Sequence, residues 1–508
     1  MNSKGTLGII DIGSNSIRLV IYELDHEGAY RIIHEDKYAA RLSNVVEEDG
    51  QILRHSLEQA ITVLQQFKAT CDAFQTKVIR AAATAAIRNA RNAAQIIGWL
   101  EEETGLEIEC ASGDQEAYYG FLGVIQSIDL QDGYVVDIGG GSTEVTVFRD
   151  RKRLHSISLP IGAVNSHARY GGEDSWSEAN VAALCNDVIQ ALKDQDWVRQ
   201  HPGLPLIGLG GTMRTLAKIE QKRTQYSLPV THHYEISASA MENLAKSLPY
   251  LTSGQRKKVP GLAKDRADII VPGVLILRTV FDILQGDRYV VSGAGLRDGI
   301  LRDLMAPHRP ASPTALEDSI RNFIHFGPPV PEKKLKQIQQ DATVLYEALD
   351  GDAPKPADAR ILYTACMLHG AGKQINYFRY PQHSAYWIMN AGIYGLSHRE
   401  TVLTAIAADY HPKKRTPQLL NKHRDILKDS DERHAHRLGS ILRIAEAIHR
   451  SERISAIRVT KENGSLQIKL ICSAEPLLEM HGLEEAAKDL EEAWDVKLTY
   501  STLQASKE

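Results

Sequence analysis

The stretch Ile9-Ile10-Asp11-Ile12-Gly13-Ser14-Asn15-Ser16-Ile17-Arg18-Leu19-Val20 decides the fold, because its pattern returns 126 residues later. The second copy reads Val135-Val136-Asp137-Ile138-Gly139-Gly140-Gly141-Ser142-Thr143-Glu144-Val145-Thr146. An apolar run, an aspartate, a turn of small residues and another apolar run predict a β-hairpin in each copy. Because such a turn carries little side chain, its backbone N–H groups can close on an anion, while the aspartate can hold a cation or water. Two matching copies predict a duplicated fold with both turns facing one phosphate chain.

The composition is that of a soluble globular protein with several domains. A chain of 508 residues exceeds what one hydrophobic core normally serves, and its length suggests about three or four domains. The formal net charge of -5 gives no indication of a nucleic-acid partner. The five cysteines are scattered without disulfide or metal spacing, which favours a reducing compartment. With no leader and no apolar run of membrane length, we expect a cytoplasmic protein without stable membrane association.

The order of strand and helix signals repeats along the first 305 residues. Residues 6–37 predict a three-stranded meander, followed by helices that alternate with short strands. Among these helices, an alanine-rich one is predicted from just after Val78–Ile79 to about Leu100. Residues 133–305 repeat the meander and the alternation. We therefore predict two related α/β domains, at residues 1–130 and 131–307.

The remainder of the chain follows a different pattern. Three prolines within residues 306–315 predict a linker. Helical periodicity then predicts an all-α domain at residues 308–450. A hairpin signal at Asn463-Gly464, an acidic helix and a final strand predict a small α+β domain at residues 451–508.

Two further glycine-rich junctions lie between a strand and a helix. Ile207-Gly208-Leu209-Gly210-Gly211-Thr212 is the first, and Ser292-Gly293-Ala294-Gly295-Leu296-Arg297-Asp298-Gly299 is the second. A helix N-terminus that follows glycine presents unpaired N–H groups and the positive end of the helix dipole. Four junctions of this kind within about 300 residues are hard to explain as ordinary turns.

Together with Ser112-Gly113-Asp114-Gln115-Glu116-Ala117, these elements resemble the exopolyphosphatase and guanosine pentaphosphate phosphohydrolase (Ppx/GppA) family. The family lies within the actin, sugar-kinase and heat-shock-ATPase superfamily. The resemblance implies two ribonuclease-H-like (actin-like ATPase) domains, a degenerate HD-like helical domain and a small C-terminal domain. It is strong over residues 6–305 and looser beyond, and it also implies a homodimer.

Glu116 is the candidate catalytic residue. It falls in the first turn of a predicted helix, where an acid often only complements the helix dipole, so the residues alone leave both interpretations open. The resemblance favours catalysis, because the family's catalytic glutamate lies in this motif. Its expected role is to orient and partly deprotonate the water that attacks a terminal phosphoryl group. The family often has a second acid just before this glutamate, where this chain has Gln115.

The acids attached to the two turns form a candidate Mg²⁺ site. Asp11, Asp137 and Glu144 offer the oxygen ligands that Mg²⁺ prefers while it keeps several waters. The alternative for Asp137 is that it only caps its own glycine turn. The expected cofactor is Mg²⁺.

Three groups of cations could hold a phosphate chain. Arg88 and Arg91 are predicted to share a helix face, and the resemblance favours Arg88 as the phosphate ligand. Arg266 is the expected ligand of the second group, while residues 256–258 are expected to be solvated surface. Lys413, Lys414 and Arg415 form a possible polyphosphate track. The full predicted phosphate-binding set is Ser14, Asn15, Arg88, Gly139, Gly140, Gly141, Ser142, Gly211, Thr212 and Arg266.

The helical domain contains a pattern similar to the metal-dependent HD phosphohydrolases. Those enzymes need a His-Asp pair, whereas here His369 is followed by Gly370, and the expected upstream histidine is missing. Loss of the central carboxylate leaves too few hard ligands for a dinuclear site. We therefore expect a scaffold used for dimerisation or substrate binding.

The leading expectation is an exopolyphosphatase that releases terminal phosphate from inorganic polyphosphate one residue at a time. Removal of the γ-phosphate from guanosine pentaphosphate would use the same residues and stays open. A sugar kinase would need a sugar-binding insertion with its own aspartate base, against which the Glu116 motif argues. A non-catalytic nucleotide-sensing protein is the third possibility and predicts binding with negligible turnover.

Overall fold

The computed structural model describes residues 5–47, 49–171, 174–305, 314–327, 331–451 and 453–504. The chain divides into two compact units. Unit 1 comprises Met1–Gln225 and Pro229–Ala315, and unit 2 comprises Tyr226–Leu228 and Leu316–Glu508. Most of the predicted proline-rich linker, residues 306–313, lies outside the described residues.

The first sheet of unit 1 has the strand order β3-β2-β1-β4-β5. Its strands are β1 (Gly5–Ile12), β2 (Ile17–Leu24), β3 (Tyr30–Tyr38), β4 (Val78–Ala83) and β5 (Ile108–Cys110). The first three form the predicted meander, with Ile12 opposite Ile17 across the first glycine turn. Strand β4 runs parallel to β1 and β5, so the sheet is mixed.

The second sheet of unit 1 repeats this arrangement, with the order β10-β11-β9-β6-β7-β8. Its strands are β6 (Gly133–Ile138), β7 (Thr143–Arg149), β8 (Lys152–Leu159), β9 (Leu206–Leu209), β10 (Glu235–Ile236) and β11 (Tyr289–Val291). Ile138 lies opposite Thr143 across the second glycine turn. Parallel β9 adjoins β6 as β4 adjoins β1, which is the predicted duplication.

The helices of unit 1 follow the strands and cover the sheets. They are α1 (Glu58–Ala73), α2 (Ala85–Arg88), α3 (Ala93–Thr104), α4 (Gly113–Ile125), α5 (Ala163–Tyr170), α6 (Glu178–Leu192), α7 (Gly210–Arg223), α8 (Ala238–Ser247), α9 (Ser253–Arg256), α10 (Ile270–Leu284) and α11 (Leu296–Met305). Ser112 begins α4 with a capping box, in which its hydroxyl accepts from the N–H of Gln115 and the Gln115 side chain accepts from the N–H of Ser112. Glycines bring α4 against the start of α11 at backbone distance, since a Cβ on Gly123 or Gly299 would meet a carbonyl oxygen of the other segment.

The prediction of one alanine-rich helix after Val78–Ile79 is wrong in its first part. Residues 81–83 continue strand β4, which lies between two strands, and all three alanines are buried. Tertiary pairing therefore overrides the helix propensity of alanine. The helical part is also divided, because α2 ends at Arg88 and α3 begins at Ala93. Arg88 and Arg91 accordingly do not share a helix face, contrary to the prediction.

Unit 2 is helical with a small sheet near the end of the chain. Its helices are α12 (Ala315–Phe326), α13 (Glu332–Asp350), α14 (Pro356–Leu368), α15 (Tyr380–Asn390), α16 (His398–Ala408), α17 (Arg415–Lys422), α18 (Asp431–Ile448) and α19 (Leu477–Trp494). Its strands, in the order β12-β13-β14, are β12 (Ile454–Glu462), β13 (Ser465–Cys472) and β14 (Lys497–Gln504). Within the described ranges, no helix is both long enough and apolar enough to cross a membrane.

Candidate active site

The two glycine turns meet inside unit 1. A Cβ placed on Gly140 would lie 2.9 Å from Cβ of Ser14, and one on Gly141 would lie 3.1 Å from its Oγ. Glycine is therefore required at Gly140, because a side chain there would displace the opposite turn. The contact places both turns on one cavity of about 160 Å³, as expected of a duplicated phosphate clamp.

In both turns, backbone carbonyl groups accept hydrogen bonds from neighbouring segments, whereas several backbone N–H groups have no acceptor among the described residues. The carbonyls of Ser14 and Asn15 accept from the N–H groups of Ser43 and Arg41. Those of Gly139 and Gly140 accept from the first residues of α5. Within the described part of the chain, no acceptor takes the N–H of Ser14, Asn15, Gly140 or Gly141. Such groups can receive the oxygens of a phosphate chain.

The third and fourth glycine junctions complete the cavity wall. Gly210 and Gly211 line it at the start of α7, and residues 293–298 line it at the start of α11. The guanidinium of Arg266 lies directly against Gly211, in space that any side chain at that position would occupy. The close approach places Arg266 beside a helix N-terminus, and a side chain at Gly211 would displace its guanidinium.

Glu116 lines the same cavity from the first turn of α4. Its Oε2 accepts a hydrogen bond of 2.6 Å from Nη1 of Arg88, which also donates to the carbonyl of Ala111 at 3.1 Å. Burial raises the pKa of Glu116 to about 7, and Asp137 and Asp11 add to the rise, while the hydrogen bond and charge of Arg88 oppose it. A carboxyl group with a pKa near neutrality is suited to proton transfer.

The three predicted metal ligands are buried acids with raised pKa values. Burial and the charge of Asp11 raise the pKa of Asp137 to about 6, and burial raises the pKa of Asp11 against Arg297 and Arg18. Burial, followed by Glu116 and Asp137, holds the pKa of Glu144 well above its ordinary value. Glu144 accepts from Ser158 at 2.7 Å, while its buried Oε2 has no hydrogen-bond partner in the described residues.

This donor set fits Mg²⁺. The negative charges of the acids repel one another, and the buried Oε2 of Glu144 has no hydrogen-bond partner among the described residues. A divalent cation would neutralise the charges and could bind this oxygen. Among the described residues, however, no three acids of the cavity bring their oxygens within 4.8 Å of one another. The arrangement is therefore compatible with an ion that keeps several of its waters rather than one held by three carboxylates at once.

A cluster of four arginines occupies the cavity: Arg18, Arg214, Arg266 and Arg297. Burial lowers the pKa of Arg18, and the neighbouring Arg297 and Arg214 lower it further. Burial likewise lowers the pKa of Arg266 to about 10, with Arg214 and Arg18 contributing. Mutual repulsion of buried guanidinium groups is relieved by an anion, so this arrangement is suited to binding one.

Sequence reasoning named Arg266 but not Arg18, Arg214 or Arg297 as phosphate ligands. Arg18 pairs with Asp11 across the first hairpin, and Arg214 donates from Nε to the carbonyl of Gly210 at 3.1 Å. Each thus sits at a fixed offset from a recognised glycine turn. That offset was the available signal.

The remaining predicted residues divide by position. Ser14, Asn15, Gly139, Gly140 and Ser142 line the cavity. Four others are not among the lining residues: Arg88, Gly141, Glu144 and Thr212. The possible polyphosphate track belongs to unit 2, where Lys413 and Lys414 are exposed and Arg415 donates to Asp409 at 2.6 Å.

The expectation that residues 256–258 form a solvated surface is wrong for Arg256. Its side chain is 2% exposed and donates to the carbonyls of Ala267, Leu251 and Asp174. The guanidinium satisfies backbone oxygens around the segment before α10, so its role is structural. A run of basic residues in the sequence does not reveal such burial.

Comparison of the sequence with known families identifies the family of this chain. The profile of the Ppx/GppA phosphatase family matches residues 20–308, more than half of the chain. The chain belongs to the Ppx/GppA phosphatase family. A second profile, for domain III of Ppx/GppA phosphatases, matches residues 329–493. The predicted family is confirmed. The first matched region includes Glu116, the second glycine turn and the start of α7, and it begins just after the first glycine turn.

Solved structures agree with this assignment. A Ppx/GppA family member from Aquifex aeolicus is 30% identical, with a TM-score of 0.53, and the match covers 61% of this chain and 100% of that one. An exopolyphosphatase from Cytophaga hutchinsonii is 25% identical, with a TM-score of 0.54, over 60% of this chain and 100% of that one. The chain is therefore a phosphatase of the Ppx/GppA family with the actin-like fold.

Proposed function

We propose that this Ppx/GppA phosphatase is an exopolyphosphatase that hydrolyses terminal phosphate from inorganic polyphosphate processively with Mg²⁺. The observation that carries the proposal is the buried carboxyl of Glu116, with its pKa raised to about 7, on a cavity shared with unpaired turn N–H groups and four arginines. The carboxyl can accept a proton at neutral pH, while the N–H groups and arginines can hold several phosphates. Hydrolysis at one end of a polyanion needs both.

In this mechanism Glu116 orients a water molecule and accepts its proton. The water oxygen forms a bond to the terminal phosphorus, and the bond from that phosphorus to the bridging oxygen breaks. The bridging oxygen leaves on the shortened chain with the bonding electron pair. N–H groups of Gly140 and Asn15 stabilise the negative charge on the phosphoryl oxygens, since they are positioned before the reaction begins. Arg88 holds Glu116 in place and adds positive charge.

Asp11, Asp137 and Glu144 would hold the Mg²⁺ ion. When bound, the ion supplies positive charge to phosphate oxygens during phosphoryl transfer. Asp11 and Asp137 line the cavity together with Glu116, and Glu144, which is not a lining residue, is close enough for the charge of Glu116 to raise its pKa. In the same scheme, Lys413, Lys414 and Arg415 of unit 2 guide the long substrate.

Phosphate release from long-chain polyphosphate should fall about 10²–10⁴-fold in Glu116→Gln, because the amide cannot accept a proton. The matched control is Asp114→Asn, an exposed acid two positions earlier on α4 that pairs with Arg153. The control should retain activity. Both proteins are assayed with Mg²⁺ on polyphosphate and on guanosine pentaphosphate.

Comparing polyphosphate with guanosine pentaphosphate tests the proposed choice of substrate. Higher kcat/KM for guanosine pentaphosphate would replace the proposed substrate with the alternative one. Full activity of Glu116→Gln on either substrate would refute the catalytic assignment. Tight binding without turnover of either substrate by the unmodified chain would favour a nucleotide-sensing protein.

A further inference from the structure

A second cavity lies in unit 2, where the HD-like pattern has lost its aspartate. Its volume is about 640 Å³, within the range of small-molecule sites. A Cβ placed on Gly370 would lie 3.7 Å from Nζ of Lys373, so an ammonium group occupies the space toward which the missing carboxylate would extend. The preceding His369 is buried, with Nδ1 2.7 Å from the carbonyl of Cys366. The ammonium group of Lys373 therefore lies close to the backbone at Gly370.

The lining of this cavity is rich in cations. Besides three histidines, it includes one acid, Glu446, and five lysine or arginine side chains: Lys334, Lys373, Arg415, Arg443 and Arg450. Among the described residues, no carboxylate oxygen lies within 4 Å of either lysine ammonium. The three arginines are each backed by an acid, which fixes the guanidinium and leaves other N–H donors for a ligand.

The single acid of the lining is already engaged. Glu446 accepts from the hydroxyl of Tyr380 at 2.5 Å. Burial raises its pKa, but His369, that hydrogen bond, Lys373 and Arg450 outweigh burial and hold the pKa below its ordinary value. Glu446 therefore carries a compensated charge and does not repel an anion as a free carboxylate would.

Aromatic rings stand beside the cations. Nζ of Lys373 lies 4.6 Å from the ring centroid of Tyr380, and the ring of Tyr377 lies 6.2 Å from that of Tyr380. Tyr377 is 68% exposed, so much of its ring is free to meet a flat group. Leu478 of α19 adds an exposed apolar side chain to the lining. Cations beside an open aromatic face match a phosphate joined to a planar ring.

We propose that the cavity beside Gly370 and Lys373 is a nucleotide-binding site, in which basic side chains hold the phosphate and Tyr377 stacks on the base. The proposal does not depend on the reaction assigned to Glu116 in unit 1. Arg415, which also belongs to the possible polyphosphate track, lines the cavity and is left unchanged in the test. In this proposal Gly370 stands where the HD phosphohydrolases have a metal-binding aspartate, and the neighbouring Lys373 binds an anion instead.

The test is isothermal titration calorimetry of the full chain with AMP, adenosine, inorganic phosphate and tripolyphosphate, in the presence of a chelator. Two variants remove the proposed phosphate contact. Lys373→Gln deletes the charge, and Gly370→Asp neutralises it at a position where the Cβ meets only ordinary contacts. Each should weaken AMP binding about tenfold or more. Lys336→Gln on α13, whose lysine pairs with Glu332, is the matched control and should bind AMP normally.

Tyr377→Ala separates a nucleotide from a bare phosphate chain. It should weaken AMP binding about tenfold and leave inorganic phosphate binding unchanged, because only the stacked ring is lost. Equal AMP affinity in all variants would overturn the proposal. Tripolyphosphate binding that is tighter than that of AMP and insensitive to Tyr377→Ala would overturn it too and would assign the cavity to the polymer. Polyphosphate hydrolysis, measured in parallel, should be unchanged in Lys373→Gln.

Discussion

The two glycine hairpins of unit 1 have the same strand pairing but differ in the residue opposite the aspartate. In the first hairpin Asp11 pairs with Arg18, and in the second Asp137 pairs with Glu144. The two partners occupy equivalent positions, seven residues after each aspartate. One copy therefore places a cation at this position, and the other places an acid. The duplicated backbone supplies two N–H clamps, while this single position gives the two halves opposite charge.

This difference suggests a division of labour in the proposed reaction. Arg18 of the first hairpin interacts electrostatically with Arg214, Arg266 and Arg297, and such a cluster of cations suits binding of the phosphate chain. Glu144 of the second hairpin interacts with Glu116, whose charge raises the pKa of Glu144. A pair of neighbouring carboxyl groups suits metal binding and proton transfer. If the division is correct, substitutions on the two hairpins should change different kinetic constants.

The largest effect is expected on the second hairpin. Glu144→Gln removes a buried charge next to Glu116 and should lower the apparent affinity for Mg²⁺ about 10–100-fold, with kcat falling at fixed Mg²⁺. The measurement is phosphate release as a function of Mg²⁺ concentration. Glu235→Gln, an exposed acid of the same sheet, is the control. An unchanged Mg²⁺ dependence would remove Glu144 from the metal site.

A smaller effect is expected on the first hairpin. Arg18→Gln deletes one guanidinium of the cluster and should raise KM for polyphosphate about tenfold while kcat changes little, because a charge-assisted contact to substrate is lost. Initial rates over a range of polyphosphate concentrations give both constants. Arg31→Gln changes an arginine of the adjacent strand that pairs with Glu23, and should match the unmodified protein. A fall in kcat alone would contradict the division of labour.

The smallest effect is a displacement of the pH profile. Glu116 must be ionised to accept a proton, so kcat/KM should fall about tenfold per pH unit below the pKa of Glu116. Since the Arg88 hydrogen bond lowers that pKa, Arg88→Gln should move the acidic limb to higher pH. Profiles are compared at one saturating Mg²⁺ concentration. Arg91→Gln, whose side chain packs on Gly50, should leave the limb in place, and movement to lower pH in Arg88→Gln would exclude this coupling.

The sequence predicted the fold well because the decisive features are local. A glycine turn between apolar runs specifies a hairpin, and both hairpins are present with the expected strands. The errors arose where tertiary context decides. Ala81–Ala83 forms a strand only because β1 and β5 lie on either side.

The candidate site was less accessible to sequence reasoning. The four glycine junctions were recognised, and the structure brings them to one cavity. The offsets of Arg18 and Arg214 from the glycine turns can be read from the sequence, but the convergence of both with Arg297 depends on how β2, α7 and α11 meet. Arg256 shows the converse, since a basic run suggested surface and the guanidinium is buried against carbonyl groups. The catalytic, phosphate and metal roles remain predictions.

The glycines between α4 and α11 have a mechanical consequence. Helix α4 carries Glu116 at its start, and α11 carries Arg297 at its start. With Gly123 and Gly299 allowing contact between backbones, no side chain separates the two helices at these points, and they should move as one body. The Glu116 carboxyl and the Arg297 guanidinium are then held at a fixed spacing. Under the proposed function, we expect this fixed spacing to favour substrates with several phosphates over a single phosphate ester.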